Sequence, residues 1–389
     1  MHGVDIKPQK KAVLILLPFA VEGSLIVRIA RALRARGEPI LCMIQQRETG
    51  AYKSDELADF AETGDLVDLS KHNPDTWRAV LIDVIASRSI GALLQLGAYL
   101  IYPLLGFLKQ DIPGLRVADM LYNPVGHMVR HSIYEGAIDC VFVESAYMRE
   151  VVAASTRIPN RTIEVLCSGI DLAAFVPLAT RPPRPLTLGF VGRFSEEKGP
   201  LDFIALADRL TEGGCNAQFA VFGSGPMEGA MRSRCASSPA ADRIAFHGYV
   251  DDVRQAFAAI DVLVLPSRAD GRPVAVMEAA ASGVPVIAAP VGGIPEMIED
   301  GVNGWIARPN QFDRIGALVT ELERDPARLA KLRADARAYA ERHFDENRML
   351  DAYATAFRRL ADQQKPVDFA MVAGDQFVLS ERAVGAGLA

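Results

Sequence analysis

The chain alternates short, continuously apolar runs with helical stretches, and does so twice, on either side of one proline-rich interruption. The apolar runs at 13–17, 40–44, 66–69, 90–96, 116–121, 140–143 and 162–166 lack the polar alternation of a strand with one wet face. Strands of this kind are covered on both sides, as in a parallel sheet, and the helices between them supply the covers. Helical stretches at 24–36, 74–87 and 146–155 fit that role, the first stopping at Gly37. The pattern breaks between 168 and 185, where Pro177, Pro182, Pro183 and Pro185 surround Arg181 and Arg184, as in an interdomain linker. It restarts with apolar runs at 186–191, 218–222, 244–246, 262–265 and 284–288, separated by helical stretches at 201–212, 226–236, 251–258 and 274–282. Beyond Gly304 the chain reads as mostly helical, and nothing from about 362 onward fits an element. An α/β chain of two Rossmann-like, doubly wound domains facing a central cleft follows, with ligands expected at the carboxyl ends of the strands. The boundaries read as 1–180 for an N-terminal, acceptor-side domain, 181–345 for a C-terminal domain, a helix at 346–361 and a tail at 362–389.

Composition narrows the function classes. A net charge of -6 gives no general attraction for nucleic acid or acidic lipid. Cys42, Cys140, Cys167, Cys215 and Cys235 form no C-x-x-C pair, so they read as small packing residues in a reducing compartment. Lys10 and Lys11 before an apolar run imitate a signal peptide, but no small-residue cleavage site follows, and a first buried strand fits better. The apolar stretch 89–108 is interrupted by Gln95, Gly97, Pro103 and Gly106 and divides into a strand and a helix rather than a membrane span. A cytoplasmic location is expected.

Four strand-to-helix junctions carry the chemistry. In the first, Gly192 ends a buried strand and Arg193 and Lys198 follow before a helix. A planar guanidinium and an ammonium placed there could hold a diphosphate and neutralise the charge that grows on it as a bond to it breaks. The same residues also suit a helix cap, with Ser195, Glu197 and Lys198 as ordinary capping chemistry. In the second, Gly223-Ser224-Gly225-Pro226 exposes backbone amides that favour an anion or a nucleotide edge. The third holds Asp270 in a polar loop, Pro273 at a helix start and Glu278 inside that helix among Ala, Val and Met. An unpaired carboxylate there is costly to bury, so Glu278 needs donors: the two hydroxyls of a ribose, or a local arginine. The fourth, Gly292-Gly293-Ile294-Pro295-Glu296, either passes close to a ligand or only reverses the chain, and Gly301 to Gly304 read as a turn into a short strand.

Taken in order, these segments resemble glycosyltransferase family 4, retaining enzymes of the GT-B fold. The resemblance runs from about 186 to 305 through G-R-x-x-x-x-K-G, G-x-G-P, H-G-Y-V, the acid-x7-Glu element and V-G-G-I-P-E, and Ser168-Gly169-Ile170-Asp171 looks like the family's interdomain signature. It implies that Arg193 and Lys198 bind the diphosphate of a nucleotide-sugar donor and stabilise it as it leaves. Glu278 would hold the ribose, and the backbone of Tyr249 and Val250 would meet the base. Gly192, Gly223 and Gly225 would let the backbone approach. Asp270 would contact the transferred sugar, and the amides from Pro273 through Val274 and Ala275 would support sugar or phosphate. The family commonly has Glu where this chain has Asp270, one methylene shorter. Arg272 could meet an acidic or phosphorylated sugar, or solvent.

The N-terminal half departs further from the family's pattern. Gly23 stands where paired glycines are common, and either Asn123 or His127 fills the position of a histidine near the transferred sugar, with His131 one turn later on the same face. The helix at 346–361 would pack back on the N-terminal domain. The implied reaction is transfer of a hexose-type sugar from a UDP- or GDP-sugar to a glycan, lipid-linked or small-molecule hydroxyl, with retention. No cofactor is implied beyond the donor. No Asp-x-Asp is present to bring in a metal, and contact with the inner face of a membrane stays open. Two rivals share the fold: a nucleotide-sugar 2-epimerase, which turns over donor without acceptor, and a binding subunit without turnover. A dehydrogenase is disfavoured because no G-x-G-x-x-G follows the first strand.

Overall fold

The computed structural model describes residues 11–19, 25–46, 57–124, 126, 128–177 and 185–362. The N-terminal part runs β1 (Ala12–Phe19), α1 (Leu25–Ala35), β2 (Ile40–Gln46), α2 (Ala58–Glu62), β3 (Leu66–Asp68), α3 (Trp77–Ser87), β4 (Ile90–Gln95), α4 (Tyr102–Asp111), β5 (Arg116–Leu121), α5 (Met128–Tyr134), β6 (Cys140–Val143), α6 (Ala146–Ser155) and β7 (Thr162–Val165). Its seven strands form one parallel sheet in the order β3-β2-β1-β4-β5-β6-β7. β4, β5 and β6 are buried along their whole length, Gln95, Arg116 and Asp119 included.

The second part runs β8 (Thr187–Val191), α7 (Pro200–Glu212), β9 (Gln218–Phe222), α8 (Glu228–Ala236), β10 (Ile244–Gly248), α9 (Val253–Ala259), β11 (Val262–Leu265), α10 (Val274–Ala281), β12 (Val286–Ala288), β13 (Gly304–Ile306), α11 (Phe312–Arg324), α12 (Pro326–His343) and α13 (Glu346–Asp362). Its six strands are parallel in the order β10-β9-β8-β11-β12-β13. Strand order reverses at β1/β4 in the first sheet and at β8/β11 in the second, the two places where such sheets open a crevice. This is the doubly wound pair with the GT-B architecture.

Each sheet is sandwiched. In the first, Ile26, Ile29 and Leu33 of α1 pack with Tyr353 and Phe357 of α13 on one face, while Leu81, Leu105, Met128 and Met148 cover the other. α13, which follows the second domain in sequence, therefore completes the core of the first domain. In the second sheet, Phe203, Met231 and Ile315 cover one face and Phe257, Val276 and Met277 the other.

The chain crosses between domains at two places that lie side by side. Ile170 N–H donates to Phe344 O at 2.8 Å, and Glu346 N–H donates to Ile170 O at 3.0 Å. A Cβ at Gly169 would sit 3.0 Å from the carbonyl oxygens of Phe344 and Asp345, so the interdomain signature is small where two backbones touch.

Local details differ from the sequence reading for stated reasons. The stretch 74–87 opens as a 3-10 turn, because Pro74 follows Asn73, whose side chain accepts from Asp75 N–H, and α3 proper starts at Trp77. The short helices α2 and α5 carry too few residues for their periodicity to be read. Four cysteines are buried packing residues, but Cys167, expected among them, is exposed. The linker prolines Pro182 and Pro183 and residues 363–389 of the expected tail lie outside the described residues.

Candidate functional site

The expected donor residues gather at the carboxyl ends of β8, β9, β10 and β11. The loop after β8 and the loop after β9 lie backbone on backbone. Phe194 N–H donates to Ser224 O at 2.8 Å, and a Cβ on Gly223, at φ 132°, would sit 1.9 Å from Gly192 O. A Cβ on Gly225, at φ 156°, would sit 2.5 Å from Phe194 O, so both glycines are required by the approach of a second backbone. Gly192 shares that φ of 156°, but a Cβ there would meet nothing within 4 Å: it borders open space.

The loops after β8 and β11 are tied in the same way. Arg268 N–H donates to Glu197 O at 2.8 Å, and Gly199 leaves room for Pro266 O, which a Cβ would approach to 2.3 Å. This seam lies on the β8/β11 switch point, and there Lys198 Nζ donates to Asp270 Oδ2 at 2.5 Å. Ser267 Oγ reaches the same carboxylate oxygen at 3.4 Å. Ser195 makes no side-chain cap on the turn that follows, as the capping alternative for the first junction would have it; its Oγ donates instead to Glu197 Oε1 at 2.5 Å. Lys198 is turned to Asp270. Arg193 is exposed and makes no hydrogen bond or ion pair with the described residues.

α10 starts at Val274 behind Pro273, with no side chain capping its first turn, so the amides of the half-buried Val274 and Ala275 are left for an outside acceptor. Glu278 sits mid-helix, and its side chain makes no hydrogen bond or close ion pair with a described residue, though Arg28 acts on it at longer range. Burial pushes its carboxyl up to about 7, and the Arg28 guanidinium on α1 of the other domain draws it partly back. Tyr249, after β10, is 71% exposed, while Val250 packs on the core beneath. Among the described residues, no group of three or more His, Cys, Asp or Glu side chains is placed to hold a metal ion.

Facing these loops stand the carboxyl ends of β5 and β6. A Cβ at Gly271 would sit 2.3 Å from Tyr122 O, and one at Gly293 would sit 3.0 Å from Ser145 Cβ. Glu296, whose role the sequence leaves open, spans the interface: its two oxygens accept from Ala146 N–H at 2.8 Å and Tyr147 N–H at 2.7 Å, capping α6 of the first domain. The fourth junction thus serves as an interdomain contact.

Gly23 and His127 lie outside the described residues, and Asn123 is exposed beside Gly126. His131, expected on one face with His127, is instead turned into the core, where Nδ1 meets Asp119 Oδ2 at 2.7 Å and the Tyr102 hydroxyl donates to the same oxygen at 2.9 Å. Arg272, for which a sugar contact or solvent exposure was expected, is half-buried. Its guanidinium lies 5.5 Å over the Phe344 ring, with a buried Nε that has no partner among the described residues.

Residues 179–343 match the family model described as Glycosyl transferases group 1, which covers the second domain. The chain is 27% identical over 264 residues to the amylovoran biosynthesis glycosyltransferase AmsK of Erwinia amylovora, covering 65% of this chain and 60% of that protein. It is 33% identical over 150 residues to the 2-deoxystreptamine glucosyltransferase of Streptomyces kanamyceticus, covering 38% and 39%. The match to the first curated relatives spans 60%, 43% and 49% of their lengths. Among solved structures, the Anabaena protein HepE in complex with UDP superposes with a TM-score of 0.69 at 17% identity, covering 89% of this chain and 99% of that one. A glycosyltransferase from Rickettsia africae superposes with a TM-score of 0.72 at 14% identity, covering 91% and 99%. The chain is thus a GT-B protein whose second domain is related in sequence to group 1 glycosyltransferases.

Proposed function

We propose that the chain is a retaining glycosyltransferase that moves a hexose-type sugar from a UDP- or GDP-sugar to an acceptor hydroxyl. The observation that carries this reading is the Lys198–Asp270 contact at the β8/β11 switch point, beside an uncapped α10 and an unpartnered Glu278. A donor would enter with its diphosphate on Lys198 and Arg193, and its sugar would displace Asp270 from Lys198 and take the freed carboxylate as an acceptor for its own hydroxyls. The α10 amides add fixed dipoles where phosphate or sugar charge lies, and Glu278 accepts from the ribose hydroxyls. As the bond from sugar to phosphate lengthens, the two cations neutralise the leaving diphosphate while the acceptor hydroxyl attacks on the same face and gives its proton to the departing phosphate oxygen. Closure of the domains would bring the loops after β1 and β5 onto the donor and exclude water. Acceptors of polysaccharide or lipid-linked type, and a cytoplasmic site at the inner face of a membrane, belong to the same proposal.

A thermal-shift screen against UDP, GDP and their common hexose sugars tests the nucleotide end. The right donor at about a hundredfold excess over its dissociation constant adds roughly 2.7 kcal/mol of apparent stability. Lys198→Ala should abolish transfer and lose most of that shift, and wild-type turnover in this variant would remove Lys198 from the scheme. Product analysis with donor alone separates transfer from 2-epimerisation.

A further inference from the structure

The loop that holds Asp270 is gripped from the first domain at the two residues that follow it. At Gly271 the grip is backbone to backbone, against Tyr122 O after β5. At Arg272 it is electrostatic. Glu144, at the end of β6, is 5% exposed, and its Oε1 has no hydrogen-bond partner among the described residues. The side chain nearest in charge is Arg272, itself with a buried, unpartnered Nε. A buried carboxyl and a half-buried guanidinium, one from each domain and each with a buried, unmet polar atom, are costly apart and complementary together.

We infer that Glu144 and Arg272 are positioning residues: their attraction across the domain seam, beside the Gly271–Tyr122 contact, sets the place of the Asp270 loop over the donor. This rests on the nucleotide-sugar reading above. Burial pushes the Glu144 carboxyl up to about 7, while the Ser168 hydroxyl and the Arg272 guanidinium hold it back. The other titratable groups beside it, Tyr122, Cys167 and Tyr353, are all raised by burial and stay neutral in this range. Glu144 is therefore neutral below that pH and joins Arg272 only above it.

The test is steady-state turnover of the nucleotide sugar selected by thermal shift, for wild type, Glu144→Gln, Glu144→Asp, Arg272→Met, Arg272→Lys and the Glu144→Gln/Arg272→Met double variant. The two neutral variants should each lose about tenfold in kcat with donor KM little changed, because the diphosphate and ribose contacts are intact. The double variant should be no worse than the poorer single one, and the charge-keeping variants Glu144→Asp and Arg272→Lys should retain part of the activity that the neutral ones lose. Wild-type kcat should rise between about pH 6 and about pH 8, and Glu144→Gln should lose that rise. Glu278 does not confound kcat, since the bound ribose already holds it ionised. Additive losses, a KM effect alone, or an unchanged pH limb in Glu144→Gln overturn the pair while leaving the donor site standing. A wild type that neither shifts with UDP or GDP nor turns over any nucleotide sugar removes both.

Discussion

At the scale of single residues, the informative groups are those whose needs the chain itself does not meet. Glu278 is one, and its proton is the readout. Held up at about 7 by burial, it accepts ribose hydroxyls only when ionised, so nucleoside diphosphate binding should strengthen as pH rises through that value and then level off. Binding should release a proton, visible as a calorimetric enthalpy that depends on the buffer. Glu278→Gln should weaken binding about tenfold and flatten the pH dependence. The stability sign is the reverse. A carboxyl raised above its unfolded value contributes stability below the unfolded range and loses it as pH rises through about 7, so Glu278→Gln should gain in melting temperature over wild type on the alkaline side. The sequence could single out Arg193, Lys198 and Asp270 because each stands in a loop just beyond a strand end, and Glu278 because it is a carboxylate among the apolar residues of α10. Glu144 is not, since its partner Arg272 lies far along the chain and only the fold brings their domains together. His131 misleads for a related reason: helical spacing places it on a face, but Asp119 and Tyr102 decide that the face points inward.

At the scale of elements, continuous apolar runs announce the strands well, because a parallel sheet buried on both faces leaves no polar alternation to confuse the reading. The glycine junctions are legible as turns, but not as contacts. Whether a turn meets a ligand, another loop or another domain depends on packing that local spacing does not encode. The V-G-G-I-P-E junction shows this, since Glu296 caps α6 of the other domain across the interface. A carboxylate there satisfies two orphan amides and opposes the helix dipole, so Glu296→Ala should cost about 1 kcal/mol. Chemical denaturation should show that loss, and Glu296→Gln, which keeps one acceptor, should show less.

At the scale of the whole molecule, the two-domain plan and its cleft follow from the sequence, while the seam that joins the domains does not. The first domain depends on α13: Tyr353 and Phe357 are buried against β1 and β5 neighbours such as Ile15 and Met120. Phe357→Ala should cost about 3 to 5 kcal/mol, and calorimetry should show the first domain melting ahead of the second. That arrangement has a consequence for synthesis. Domains usually fold as units in the order they leave the ribosome. Here the second domain is a nearly unbroken segment ending with α12 at His343, whereas the first waits for a helix that ends at Asp362. The half made first is therefore finished last, and its apolar sheet face stays open to chaperones until α13 emerges.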